Sequence, residues 1–97
     1  MSINAHKIEK YSDHVTFNLW HDDLLMQLLE DIGGLAGLNV DGCGLIEVNE
    51  DMLAQMRKDL DDKTNVSEEE IVKTKTLLKE IEKEFDPQFK YVVYYCF

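Results

Sequence analysis

Apolar and polar residues alternate along His14-Val15-Thr16-Phe17-Asn18-Leu19-Trp20. A period of two predicts a strand with Val15, Phe17 and Leu19 on one face and His14, Thr16, Asn18 and Trp20 on the other. After Asp22 or Asp23, either of which can cap a helix start, the period changes. Leu24, Leu25, Leu28, Leu29 and Ile32 recur at helical spacing up to Gly33-Gly34, which predicts a helix stopped by glycine. An alternative boundary starts this helix near Asn18.

Two short apolar segments, residues 35–40 and 43–48, flank Asp41-Gly42. Asp-Gly in that setting predicts a two-residue type I′ hairpin turn, with Val40 facing Cys43 and Leu38 facing Leu45. Gly37 and Gly44 weaken such a hairpin, because glycine adds chain entropy and no side chain. Asn49 then caps a helix that begins with Glu50-Asp51 and carries Met52, Leu53, Met56 and Leu60 on one stripe. Residues 61–65 break it. Ser67-Glu68-Glu69-Glu70 has the form of a capping box, with Val66 and Ile71 placed as a hydrophobic staple. That helix runs through Leu77, Leu78, Ile81 and Phe85 to Asp86, where Pro87 forbids continuation.

Phe89 to Phe97 follows with β-branched or aromatic side chains at nearly every position. Phe89, Tyr91, Val93, Tyr95 and Phe97 share one face of the predicted strand, and Lys90, Val92, Tyr94 and Cys96 the other. The sequence leaves open which of these faces points inward. The order β-α-β-β-α-α-β predicts an α+β domain spanning residues 1–97, with 1–11 as an irregular lead-in. With the helix pair taken as one elaborated crossover, this is the grammar of a small split β-α-β, ferredoxin-like sandwich, its helices on one face of an antiparallel sheet. One helical layer covers one sheet face, so an apolar terminal strand leaves aromatic surface on the other.

Charge narrows the list of partners. Twenty acids against ten bases give −10, and Arg57 is the only arginine. Such a surface repels nucleic acid and anionic membranes, and favours basic or neutral proteins. No stretch is long and apolar enough for a membrane span, and the opening residues lack a secretory apolar core, so a cytoplasmic protein is expected. Cys43 and Cys96 are accordingly expected to be reduced thiols rather than a disulfide.

Motif chemistry is sparse. His6, His14, His21, Cys43 and Cys96 show no CxxC, HxxxH or HExxH spacing for a metal. Cys43, between Gly42 and Gly44, is the one candidate nucleophile, but turn geometry accounts for those glycines. The glycines from 33 to 44 match neither a P-loop nor a dinucleotide fingerprint. No enzymatic activity and no cofactor are expected.

The resulting expectation is a non-enzymatic acidic protein–protein interaction module that regulates or inhibits a partner. It would bind through its aromatic sheet face or terminal strand, either to its own copy as a homodimer or to a target, with Trp20, Tyr91, Tyr94 and Tyr95 as contact residues. The runner-up is a nucleic-acid mimic, in which Asp59, Asp61, Asp62, Glu68, Glu69 and Glu70 imitate a phosphate row and block a nuclease or other nucleic-acid-binding protein. Lys73, Lys75, Lys79 and Lys83 interrupt that row, and Glu69–Lys73 reads as an ordinary i,i+4 pair. A small thiol or metal enzyme ranks third.

Overall fold

The computed structural model describes residues 3–97; Met1 and Ser2, part of the expected lead-in, lie outside the described residues. Helix α1 spans Asp23–Asp31, strand β1 Gly44–Asn49, helix α2 Glu50–Asp61, helix α3 Glu68–Lys83 and strand β2 Tyr91–Cys96. The molecule is a small α+β fold of three helices and, among the described residues, one two-stranded antiparallel sheet.

The four-stranded sandwich expected from element order is thus corrected to two strands. Residues 14–20 form no strand because Asn18 and Asp22 fold the segment into a turn. Asn18 O accepts the N–H groups of His21 (3.0 Å) and Asp22 (2.8 Å), Asn18 Oδ1 accepts from Trp20 N–H (2.9 Å), and Asp22 Oδ2 accepts from Asn18 N–H (2.7 Å). Local bonds of this kind satisfy the backbone groups that a sheet ladder would need. Residues 35–38 turn repeatedly and contribute only a single bridge, Leu38 to Gly44.

The hairpin register also differs from the expected one. Asn39 N–H donates to Cys43 O (2.8 Å), and Asn39 O accepts from Gly42 N–H (3.0 Å). Val40-Asp41-Gly42 is therefore a three-residue loop with Gly42 at φ +80°, the turn-plus-bulge alternative to a two-residue turn. Asn39 decides the matter, since its Oδ1 accepts from both Asp41 N–H (2.9 Å) and Cys43 N–H (3.1 Å). Leu38 faces Gly44 rather than Leu45, and Val40 points into solvent. Gly37 and Gly44, read as weak points, are where the two backbones pass closest. A side chain on Gly37 would strike the Leu45 carbonyl oxygen, and one on Gly44 the Gly37 carbonyl.

The helix ends follow local chemistry. Gly34 N–H reaches Leu29 O (2.8 Å) and Gly33 N–H reaches Glu30 O (3.0 Å), closing α1 in a Schellman turn. Asn49 Oδ1 accepts from Met52 N–H (2.9 Å), and Ser67 Oγ from Glu70 N–H (3.2 Å), as their capping roles require. Helix α3 ends at Lys83, short of the expected Asp86. Asp86 instead holds a turn, its Oδ1 accepting from Gln88 and Phe89 N–H (2.9 Å each). Phe89 consequently belongs to that turn, and β2 begins at Tyr91.

All three helices turn their apolar stripes to one cluster, in which Leu25, Leu28, Leu29, Met56, Leu60, Leu78 and Ile81 are fully buried beside Ile46 and Val48 of β1. Truncating such a leucine to alanine costs about 2–5 kcal/mol. Arg57 joins α2 to α3 by a two-pronged contact with Glu82 (3.1 and 3.2 Å), which holds the Glu82 carboxyl below the usual carboxylate range. Residues 3–17 form neither helix nor strand. They run out as a strap and raise the radius of gyration to 14.2 Å, above the roughly 12.5 Å of a compact chain of this length.

Candidate binding surface

The surface of interest follows from the β1–β2 register, which pairs Leu45 with Tyr95, Glu47 with Val93, and Asn49 with Tyr91. Paired residues share a face of an antiparallel sheet. The intervening pairs, Ile46–Tyr94 and Val48–Val92, face the helices, with Gly44–Cys96 at the strand end. The open face therefore presents Leu45, Glu47, Tyr91, Val93, Tyr95 and, just past the strand, Phe97.

This face stays largely in solvent. Tyr95 is 51% exposed, Val93 45% and Phe97 75%. Part of it is tiled by rings: Tyr11 of the strap packs edge-on against Tyr95 (centroids 5.9 Å apart) and Phe97 (5.0 Å), and Tyr95 tilts against Phe97 (5.1 Å). Interlocked rings of this kind lose little freedom when a further surface docks on them.

Among the residues singled out from sequence, the structure brings Tyr91 and Tyr95 together on the open face. Tyr94 lies on the opposite face. Its hydroxyl donates to Glu84 Oε1 (2.8 Å), and its ring meets Phe17 edge-on at 4.9 Å. Burial and then the Glu84 carboxylate push that phenol well above its ordinary value. Thr16 Oγ1 donates to the same Glu84 oxygen, latching the strap there. Trp20 sits in the turn before α1, 84% exposed, on the lining of a groove it shares with Tyr94 and Tyr95.

Val93 and Phe97 could be read from the alternation that marks Tyr91 and Tyr95. Leu45 and Glu47 required the strand register, and nothing in the sequence marks Tyr11 as a neighbour of Tyr95 and Phe97. A groove of about 770 Å³ runs between the strap and β2. Residues of both sheet faces line it, including Tyr94, Tyr95 and Cys96, so it follows the outer edge of β2. No backbone hydrogen bond links residues 3–17 to that edge.

The acids of the second reading gather where α2 meets α3. Asp61 and Asp62 end α2, while Glu68, Glu69 and Glu70 form the first turn of α3, and all are exposed. Asp59 is half-buried and accepts from Gln55 Nε2 (2.8 Å). Helix α2 has 12 residues, so these acids stand about 18 Å along its axis from the sheet end. Aromatic face and acidic end are separate surfaces.

Among the described residues no three His, Cys, Asp or Glu side chains converge as metal ligands, and no helix is long and apolar enough to cross a membrane. Cys43 and Cys96 are free and half-buried; burial and then the neighbouring Cys43 raise the Cys96 thiol above its ordinary value. Comparison with protein-family models, curated proteins and solved structures finds no match to this chain.

Proposed function

We propose that this chain is a non-enzymatic protein-binding module, regulating or inhibiting its partner, and that the open face of the β1–β2 sheet receives that partner. One observation carries the reading. Leu45, Tyr91, Val93, Tyr95 and Phe97 form a contiguous apolar strip exposed on the face the helices leave uncovered. Contiguous exposed apolar surface with tyrosines at its centre is the composition of an interface core. The −10 charge of the chain then raises the encounter rate with a basic partner. The two unpaired cysteines suit a reducing, cytoplasmic compartment.

The second reading, an acidic decoy for a nucleic-acid-binding protein, is favoured by the exposed acids at the α2–α3 connection. Two variants separate the readings: Val93→Asp places a charge in the strip, and Asp61→Asn with Asp62→Asn thins the acidic end. A partner lost with Val93→Asp and kept by the asparagine pair supports the sheet face. The reverse result supports the decoy. Sedimentation of the wild type at low and high salt tests whether the partner is a second copy.

A further inference from the structure

Among its paired strand positions the open face carries a single charge. Glu47 stands at its middle, directly opposite Val93. Tyr91 and Tyr95 occupy the two diagonal positions, which lie about 7–8 Å away, within reach of long side chains. Leu45 and Asn49 flank Glu47 along its own strand. Among the described residues Glu47 has no ion-pair partner, and its side chain accepts no hydrogen bond from another side chain.

A lone carboxylate inside an apolar strip determines what can dock there. A wholly apolar surface would strip water from Glu47 and return nothing, which is costly for a charge. A second copy packed face to face about a two-fold axis through the middle of the face would set Glu47 against its own counterpart, in chains that each carry −10. A partner with a cation at that point meets neither obstacle. Its charge pairs with Glu47, its aliphatic stem lies on Val93, and the ring of Tyr91 or Tyr95 offers a π-face to the cation.

We infer that Glu47, framed by Tyr91, Val93 and Tyr95, is the seat for a single lysine or arginine side chain of a different protein, presented from a surface that is otherwise apolar. This rests on the reading of the sheet face as protein-binding and specifies the chemistry of the partner. Charge complementarity extends beyond the seat, since Glu50 and Asp51 follow Asn49 at one end of β1 and Asp41 precedes the other.

Three acetylated, amidated peptides test it: Thr-Trp-Val-Arg-Val-Trp-Thr and the same sequence with Leu or Glu at the centre. Each is titrated into the isotope-labelled chain while the backbone amide signals of residues 44–49 and 91–97 are followed. The arginine peptide is expected to shift these signals and to bind about tenfold tighter than the leucine peptide, the effect of one well-placed charge pair. Glu47→Gln is expected to abolish the preference, weakening the arginine peptide and strengthening the leucine peptide, which no longer strips water from a charge, until the two bind alike. Glu47→Lys is expected to reverse the order in favour of the glutamate peptide. Equal affinities for the arginine and leucine peptides, or an arginine peptide indifferent to Glu47→Gln, overturn the cation seat while leaving the face a binding surface. Shifts confined to residues 59–70 overturn it too. No response from the face to any peptide sinks the binding reading itself. A wild-type dimer broken by Val93→Asp and tightened by Glu47→Gln assigns the face to a second copy instead.

Discussion

Lys73 Nζ lies 2.9 Å from Asp22 Oδ1, joining α3 to the turn that precedes α1. The lysine is thereby drawn away from Glu69, its expected partner one helical turn back. The other oxygen of Asp22 accepts from Asn18 N–H (2.7 Å). Asp22 flanks α1 without capping it and braces the turn against a neighbouring helix.

Asp22→Asn is expected to cost about 1 kcal/mol, the worth of a charge-assisted bond to the Asn18 amide at a partly solvated site. Lys73→Met is expected to cost less, because the ammonium is largely in solvent. Burial alone would raise the Asp22 carboxyl, but the Asn18 amide and Lys73 outweigh it and hold it below the ordinary aspartate value. Its contribution is therefore present above about pH 4 and is lost as the pH falls through the lower folded value. Acid unfolding of wild type and Asp22→Asn, followed by circular dichroism, checks this: the variant has a flatter acid limb.

Tyr94→Phe removes the hydroxyl bond to Glu84 and keeps the ring against Phe17. Urea unfolding is expected to show a loss of about 1 kcal/mol. In an ultraviolet titration Tyr94 stays un-ionised where a free phenol, near pH 10, ionises. Comparing the wild type with Tyr94→Phe assigns that silent ring.

Gly44→Ala is expected to cost more than about 2 kcal/mol, since the new methyl meets the Gly37 carbonyl at a position with φ +147°. Gly42→Ala meets open space and pays only for its left-handed backbone, about 1–2 kcal/mol. Thermal unfolding of both variants distinguishes steric from conformational cost.

Trp20→Ala, at a position 84% exposed, is expected to change stability by less than about 0.5 kcal/mol. Its effect on binding then separates a contact residue from a solvated one. Cys96, half-buried and with a raised thiol value, is expected to react with iodoacetamide about tenfold more slowly than a cysteine in a short peptide, which peptide mapping by mass spectrometry measures.

The helices were legible because their signals are local. The leucine stripe from 24 to 29, the Asn49 cap and the Ser67 cap each act within a few residues, and the structure uses all three. Of the expected capping box, however, only the bond from Glu70 N–H to Ser67 Oγ is made among the described residues. The misread strand at 14–20 shows the limit. Its alternation is real, but Asn18 and Asp22 sit where side-chain bonds to the backbone outcompete a ladder. The hairpin turned on a single residue, Asn39, whose amide oxygen selects a three-residue loop where Asp-Gly suggested two. Tyr91 and Tyr95 were identifiable as one face of a strand, whereas Glu47 gained meaning only from its register with Val93. That relation spans 46 residues and leaves no trace in local pattern.

The link between Asp62 and Ser67 divides the molecule more evenly than its position suggests. Before it lie α1, β1 and α2; after it lie α3 and β2. Each portion owns one strand of the sheet and an apolar stripe whose complement is in the other. A chain severed at this exposed connection is expected to yield two fragments that reconstitute one body without a covalent joint, so that either fragment can report the arrival of the other.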